Sequence, residues 1–215
     1  MKGHSERVPN KNIRDFRGEP LFYRILDTLQ ASSHIEKIII NTDSKLIADL
    51  ALRRSPRVQI NDRPEAIRGD FVSTNDLIRH DLSTTTSNFF IQTHSTNPLL
   101  TTKTIDRAIT SFFDGLKNGV DSVFSVNRIF NRFYDNQGNP INHDVNKLIR
   151  TQDLSPLLEE NSNFYIFSRE SFMLSGNRIG KRPFLFPMDK LEAIDIDNEE
   201  DFVLAEQIFD YRNRK

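Results

Sequence analysis

The sequence contains no cysteine, which excludes disulfides, thiolate metal sites and thiol nucleophiles. It also lacks a charge of dominant sign, because 29 Lys and Arg stand against 30 Asp and Glu. Such a chain is no polyelectrolyte binder, and any anion site has to be assembled locally. No apolar run approaches the roughly 20 residues of a membrane span, and no signal peptide precedes the polar start. A soluble, cytoplasmic protein with no membrane partner is expected. The aromatic residues are 17 Phe against 4 Tyr, a set suited to a packed core rather than to stacking on single-stranded nucleic acid. With neutral charge and no basic helix, no nucleic-acid partner is expected either.

What is present is a rhythm. A chain of 215 residues suits one α/β domain. "EPLFYRILDTLQAS" has helical spacing behind Pro20, "KIIINTD" reads as a buried strand, "SKLIADLALRR" as a helix and "RVQI" as a second strand. A helix is expected from about Thr74 to Leu82, then a strand in "NFFIQTHSTNP", a Thr-capped helix in "TTKTIDRAITSFFDGL" and a strand in "DSVFSV". After an interruption come the strand "NFYIF", a helix near "RESFMLSG", the strand "EAIDID" and a closing helix from "NEEDF" to about Tyr211. This alternation indicates a doubly wound, mainly parallel sheet with helices on both faces. The interruption, about residues 127–161, holds a turn or hairpin in "FYDNQGNPINHD" and an irregular "LIRTQDLSPLLEEN". It reads as a small insertion lying apart from the main sheet.

Three segments carry candidate chemistry. In the opening "MKGHSERVPNKNI", Lys2, Arg7 and Lys11 are cations, while Gly3, Ser5, Asn10 and Asn12 can turn the backbone and offer donors. Backbone N–H groups in such turns form anion-binding nests, although a frayed terminus has the same composition. The loop fits neither the Walker nor the dinucleotide glycine pattern. Phosphate loops normally follow a strand, so either a strand lies upstream or the polypeptide lacks a central one. In "EAIDIDNEED", strand alternation puts Asp195 and Asp197 on one face, roughly 6.5–7 Å apart at Cα, where both can converge on a hard cation. Equally, Asp197 with Glu200 has the spacing of a capping box. In "QTHSTNP", His94, Ser95, Thr96 and Asn97 follow a strand, where a polyhydroxylated substrate would be held, or simply form a turn. Arg63 in "NDRPE" and Arg150 in the insertion read as possible contacts or as surface cations. His34, His80 and His143 share no metal-ligand spacing.

Taken together, "MKGHSERVPNKNI", "INTD", "DRPE", "QTHSTNPLL", "EENSNFYIF" and "EAIDIDNEED" resemble, in order and over almost the whole chain, the acylneuraminate cytidylyltransferase family. The resemblance implies a nucleotide-diphospho-sugar transferase-like, Rossmann-like fold forming one domain over residues 1–215. It implies transfer of CMP from CTP to the anomeric hydroxyl of an acidic keto-sugar, N-acetylneuraminate or a relative such as legionaminate or pseudaminate, with release of pyrophosphate. It implies Mg²⁺, with Mn²⁺ able to substitute, and a homodimer built on the inserted element.

By position, the resemblance assigns Lys2, Gly3, Ser5 and Lys11 to the triphosphate loop, and Asn12, Arg63, Ser73 and Thr74 to the nucleotide. It assigns His94, Thr96, Arg150 and Tyr165 to the sugar, and Asp195 and Asp197 to the metal; Lys11 and the two aspartates would carry the catalysis. Lys2 stands where the family usually has Arg, which keeps charge but loses the bidentate fork. Two rivals remain, a KDO cytidylyltransferase of the same fold and a non-catalytic nucleotide-binding homologue.

Overall fold

A computed structural model describes residues 1–2, 8–69 and 71–214. A hairpin of two short strands, β1 (Asp15–Phe16) and β2 (Glu19–Pro20), leads into α1 (Leu21–Ala31). The β-branched run of β3 (Ile38–Thr42) pairs in parallel with β4 (Val58–Asp62), in register from Ile38↔Val58 to Thr42↔Asp62, with α2 (Lys45–Arg54) as the crossover. After α3 (Thr74–Ser83), a four-stranded ladder takes the order β5-β7-β6-β8. It comprises β5 (Phe89–Thr93), β6 (Ser122–Ile129), β7 (Leu157–Ser168) and β8 (Pro183–Pro187). Strand β7 runs antiparallel to both neighbours, while β6 and β8 are parallel. The α/β class is as expected, and the sheet is mixed.

Packing joins the two ladders. One apolar cluster contains Phe22 and Ile25 of α1, Ile38 and Ile40 of β3, and Val123 and Ile166 of β6 and β7, together with residues of α4 (Thr102–Leu116). On the edge of β3, the amino-terminal nitrogen of Met1 donates to the Asn41 carbonyl. A second cluster gathers Val8, Phe16, Leu21, Leu99, Ile196 and Phe202, which binds the hairpin and α6 (Glu199–Asn213) to the segment ahead of α6. A third holds Ile78 and Leu82 of α3 against Tyr165, Phe167 and Phe172, the last from α5 (Arg169–Ser175).

Three expectations need correction. Residues 192–197, "EAIDID", form no strand; the segment leaves a turn in which Ala193 N–H bonds the Asp189 carbonyl at 3.1 Å, and Ile196 N–H then bonds the Thr96 carbonyl at 2.9 Å. Tethers to a loop, rather than a ladder, hold it. Strand β8 was not anticipated, because Pro183 and Pro187 bound it; proline is tolerated there since β8 lies at a sheet edge, where a missing N–H costs no central rung. The insertion is not separate from the sheet. Asn127 through Ile129 pair with Glu159 through Leu157, so its base extends the β6–β7 ladder. The anticipated turn is present, with Gly138 N–H on the Asp135 carbonyl at 3.0 Å and Tyr134 bridged to Pro140.

The helix starts show why these boundaries fall where they do. Ser44 and Thr101 cap α2 and α4 through their hydroxyls. At α6 the capping box uses Asn198 and Asp201, not Asp197 and Glu200: Asn198 Oδ1 accepts from Asp201 N at 3.0 Å and Asp201 Oδ2 accepts from Asn198 N at 3.0 Å. The carboxylate of Asp197 is therefore not the cap. Asn198→Ala should cost about 1 kcal/mol and lower the melting temperature by about 2–4 °C for a chain of this size. Asp197→Asn should leave it within a degree or so. Thermal melts of the two variants check this, and a larger loss for Asp197→Asn would reverse the assignment.

Candidate functional site

The site forms where the segment after β5, the amino-terminal turn and the segment ahead of α6 meet. Asn12 is buried and takes two bonds: its Nδ2 donates to the Lys2 carbonyl at 2.9 Å, and its Oδ1 accepts from Ser95 Oγ at 2.7 Å. Lys11 donates its ammonium to the Ile196 carbonyl, and Asn97, fully buried, donates from Nδ2 to the Ile194 carbonyl at 3.4 Å. Ile196 has no exposed surface. Its burial pins the backbone between the two aspartates, so Lys11, Thr96, Asp195 and Asp197 come together although they are far apart in sequence. Gly3 and Ser5 lie outside the described residues.

Charge is tightly arranged here. Burial pushes the Asp195 carboxyl above its ordinary range and the neighbouring Asp197 adds to the rise; a bond from Thr96 and the charge of Lys11 oppose it. Oδ1 of Asp195 is buried without a hydrogen-bond partner. An orphaned buried carboxylate oxygen beside a second carboxylate is suited to a hard divalent cation, which prefers oxygen ligands and keeps positions for water or phosphate. Among the described residues no set of three or more acidic, His or Cys side chains surrounds such a point, so the protein would supply only part of the shell. His94 is neutral. Burial, then the charges of Arg178, the amino terminus and Lys11, push its pKa down to about 4, and its Nε2 is buried and unpartnered.

Beside this centre, Arg63 is buried at the carboxyl ends of β3 and β4. Its Nε donates to Asn41 Oδ1 at 2.8 Å and its Nη2 to the Asn41 carbonyl at 3.1 Å. Asp81 of α3 accepts from Asn41 and Asn61, each at 2.8 Å, which locks both strands to that helix. Arg63 is thus a rigid buried fork rather than a surface cation. Ser73 caps α3 through its hydroxyl, and with Thr74 it lines a cleft of about 370 Å³ shared with Asn75, Glu160, Asn177 and Arg178.

Two assigned residues stand apart from this gathering. Tyr165 has no exposed surface; it does not line a pocket directly, because Arg178 lies over its ring at 3.5 Å and its hydroxyl is engaged by Glu160 and Ser162. Arg150 lies exposed in the inserted arm, forked to Asp153 at 2.7 and 3.1 Å; among the described residues no bond ties it to those gathered above. Sequence reasoning missed Arg178, Gln92 and Glu160. Arg178 sits in a loop after a short helix with no motif to mark it, and only its position over Tyr165 reveals it. Gln92, inside "QTHSTNP", was passed over as a strand residue.

The depressed pKa of His94 sets an acid sensitivity. Above the ordinary value of 6.5 neither the folded nor the unfolded chain protonates this histidine, whereas between 6.5 and about 4 only the unfolded chain does. Stability is therefore lost as pH falls through that window. His94→Gln should reduce the acid-induced loss between pH 7 and pH 5 by on the order of 1–2 kcal/mol, read from melts at the two pH values. Equal loss in both proteins would remove His94 as the cause.

Comparison with known proteins places the chain in a family. The chain is 27% identical over 223 residues to N-acylneuraminate cytidylyltransferase of Streptococcus agalactiae serotype V, covering 98% of this chain and 52% of that protein. It thus spans about half the length of that relative. It is 27% identical over 224 residues to the CMP-N,N'-diacetyllegionaminic acid synthase of Legionella pneumophila, covering 96% of this chain and 92% of that one. A solved CMP:2-keto-3-deoxy-manno-octonic acid synthetase complexed with CTP shares the fold at a TM-score of 0.71 and 10% identity, over 99% of this chain and 96% of that one. No helix among the described residues is long and apolar enough to cross a membrane. A sequence model described as cytidylyltransferase matches residues 1–214, and the chain belongs to the cytidylyltransferase family.

Proposed function

We propose that this chain transfers CMP from CTP to the anomeric hydroxyl of a nonulosonic acid, such as N-acetylneuraminate, legionaminate or pseudaminate, releasing pyrophosphate. The observation that carries this reading is the convergence of Lys11, Thr96, Asp195 and Asp197 through the single buried residue Ile196. The hydroxyl oxygen forms a bond to the α-phosphorus, the bond to the departing pyrophosphate breaks, and the hydroxyl proton passes to solvent water. Such a transfer needs charge neutralisation and in-line placement rather than a covalent nucleophile. Lys11, held by the Ile196 carbonyl, meets triphosphate charge as a fixed cation. Asn12 and Arg63, both buried, hold the nucleotide side, and neutral His94 offers a hydrogen bond to the acceptor. Asp195 and Asp197 would hold Mg²⁺, with Mn²⁺ able to substitute; when bound, the ion supplies positive charge at the phosphates.

The relatives' names support nonulosonic acids as acceptors, and the fold neighbour makes KDO the acceptor to test beside them. Asp195→Asn and Asp197→Asn should each fold and lose at least ~100-fold in kcat, with part restored by raised Mg²⁺. The measurement is pyrophosphate release from CTP with each of the four acids across a Mg²⁺ titration, with melts as folding controls. No release from the wild type with any acid would leave a non-catalytic homologue. Unchanged turnover in both variants would dismiss the metal site.

A homodimer is part of the same reading. The inserted arm exposes Ile141, Val145, Leu148, Ile149 and Leu158, Leu148 to 90%, and an apolar surface of this kind is what a subunit contact covers. Sedimentation at micromolar concentration should give about twice the 25.0 kDa chain mass, and Leu148→Asp should shift it toward the monomer. A wild-type monomer that turns over fully would refute the pairing.

A further inference from the structure

The side chain that the cytidylyltransferase reading leaves unused is Arg178. It is half-buried, it lies over the Tyr165 ring at 3.5 Å, and its Nη1 donates to Gln92 Oε1 of β5 at 2.6 Å. Its backbone N–H bonds Asn75 Oδ1 at 3.3 Å, which ties its loop to the first turn of α3. Tyr165 is itself immobilised, packed against Phe124 and bonded to Glu160 and Ser162. An arginine fixed by a ring below and an amide beside it has already lost much of its rotamer freedom, so little more is lost on binding. Its bonded partners in this network are a neutral amide and a phenol; burial lowers its pKa from the ordinary value, and Tyr165 and the nearby charge of Glu160 only partly oppose that fall. A desolvated guanidinium without a bonded carboxylate is poised to accept one from a ligand.

The surroundings define which anion. The cleft beside Arg178 also presents Thr74, Asn75, Glu160 and Asn177, a mixture of donors and acceptors suited to hydroxyl groups. Glu160 lies exposed on the same cleft, and its repulsion grows with the ligand's charge, so it disfavours a multiply charged triphosphate there far more than a single carboxylate. His94 feels both Arg178 and Lys11, so it lies within reach of both cations; Lys11 is bonded to the Ile196 carbonyl on the triphosphate side of the reading above.

We propose that Arg178 is the residue that fixes the carboxylate of the acceptor, making the cleft a subsite for a polyhydroxylated carboxylic acid. This rests on the nucleotidyl-transfer reading above and adds the residue that selects an acidic over a neutral sugar. Arg178→Gln removes the charge and keeps a donor; Arg178→Lys keeps the charge and loses the fork, and it serves where the glutamine variant fails to fold. The experiment measures KM for CTP and for whichever of N-acetylneuraminate, legionaminate, pseudaminate or KDO the wild type uses. It adds CTP affinity by calorimetry and turnover of the acceptor's methyl ester. Both variants should raise the acceptor KM by about 10- to 100-fold, leave CTP affinity within about twofold, and no longer prefer the free acid to its ester. An unchanged acceptor KM, or a loss that falls on CTP instead, overturns the assignment. A wild type inert with all four acids fails the nucleotidyl-transfer reading instead. Calorimetry of the same acids against wild type and Arg178→Gln then decides the subsite: weaker acid binding in the variant supports it, and equal or absent binding overturns it.

Discussion

The site depends on the burial of one isoleucine. Ile196 is packed into the cluster that joins the hairpin to α6, and its two backbone groups are both engaged, the N–H by Thr96 and the carbonyl by Lys11. Burying an Ile side chain contributes about 1.5–3 kcal/mol, and here that packing also fixes the residues on either side. Asp195 and Asp197 are held near each other against their mutual repulsion because the chain between them cannot move. Without this anchor the two carboxylates would separate into solvent, where each is more stable.

Several consequences follow from the same anchor. Because Asn198 and Asp201 complete the capping box of α6 on their own, Asp197 is released from that duty. Because the segment is tethered to the loop after β5 rather than laddered, its side chains are not bound to a strict two-residue alternation. Asp195 and Asp197 are then both half-buried, and Asp195 keeps an oxygen without a hydrogen-bond partner. The unpaired oxygen and the unpaired Nε2 of His94 are costs to folding. Stability given up at a site is commonly recovered when a ligand satisfies those groups.

Electrostatically the region has two cationic poles, Lys11 and Arg178, with a neutral histidine that feels both. A neutral His94 adds no positive charge between these two poles, and it leaves a donor or acceptor for a hydroxyl. Arg63, buried and forked onto Asn41, adds a third fixed cation at the ends of β3 and β4. The arrangement suits a reaction between two anionic partners, which would otherwise repel each other.

Much of the α/β rhythm was legible in the sequence because it rests on local periodicity. The β-branched run of β3, the helical spacing of α1 and the Thr101 cap of α4 each carry their own signal. Strand β8 was not legible, since its prolines are acceptable only at an edge, and edge position is a property of the assembled sheet. The residues Lys11, Asn12, Arg63, His94, Asp195 and Asp197 were singled out from the type and order of their motifs, and the fold brings them near one another. Arg178 was not, because its significance lies in a ring 13 positions earlier in the chain and an amide on another strand. Tyr165 was given a direct role that its complete burial excludes. Sequence alone thus determined which chemical groups the molecule carries and the order of its helices and most of its strands, since both depend on short-range pattern. Tertiary structure alone decided which of those groups meet and which are covered, and whether Asp197 caps a helix, because those outcomes follow from packing between segments that the chain keeps far apart.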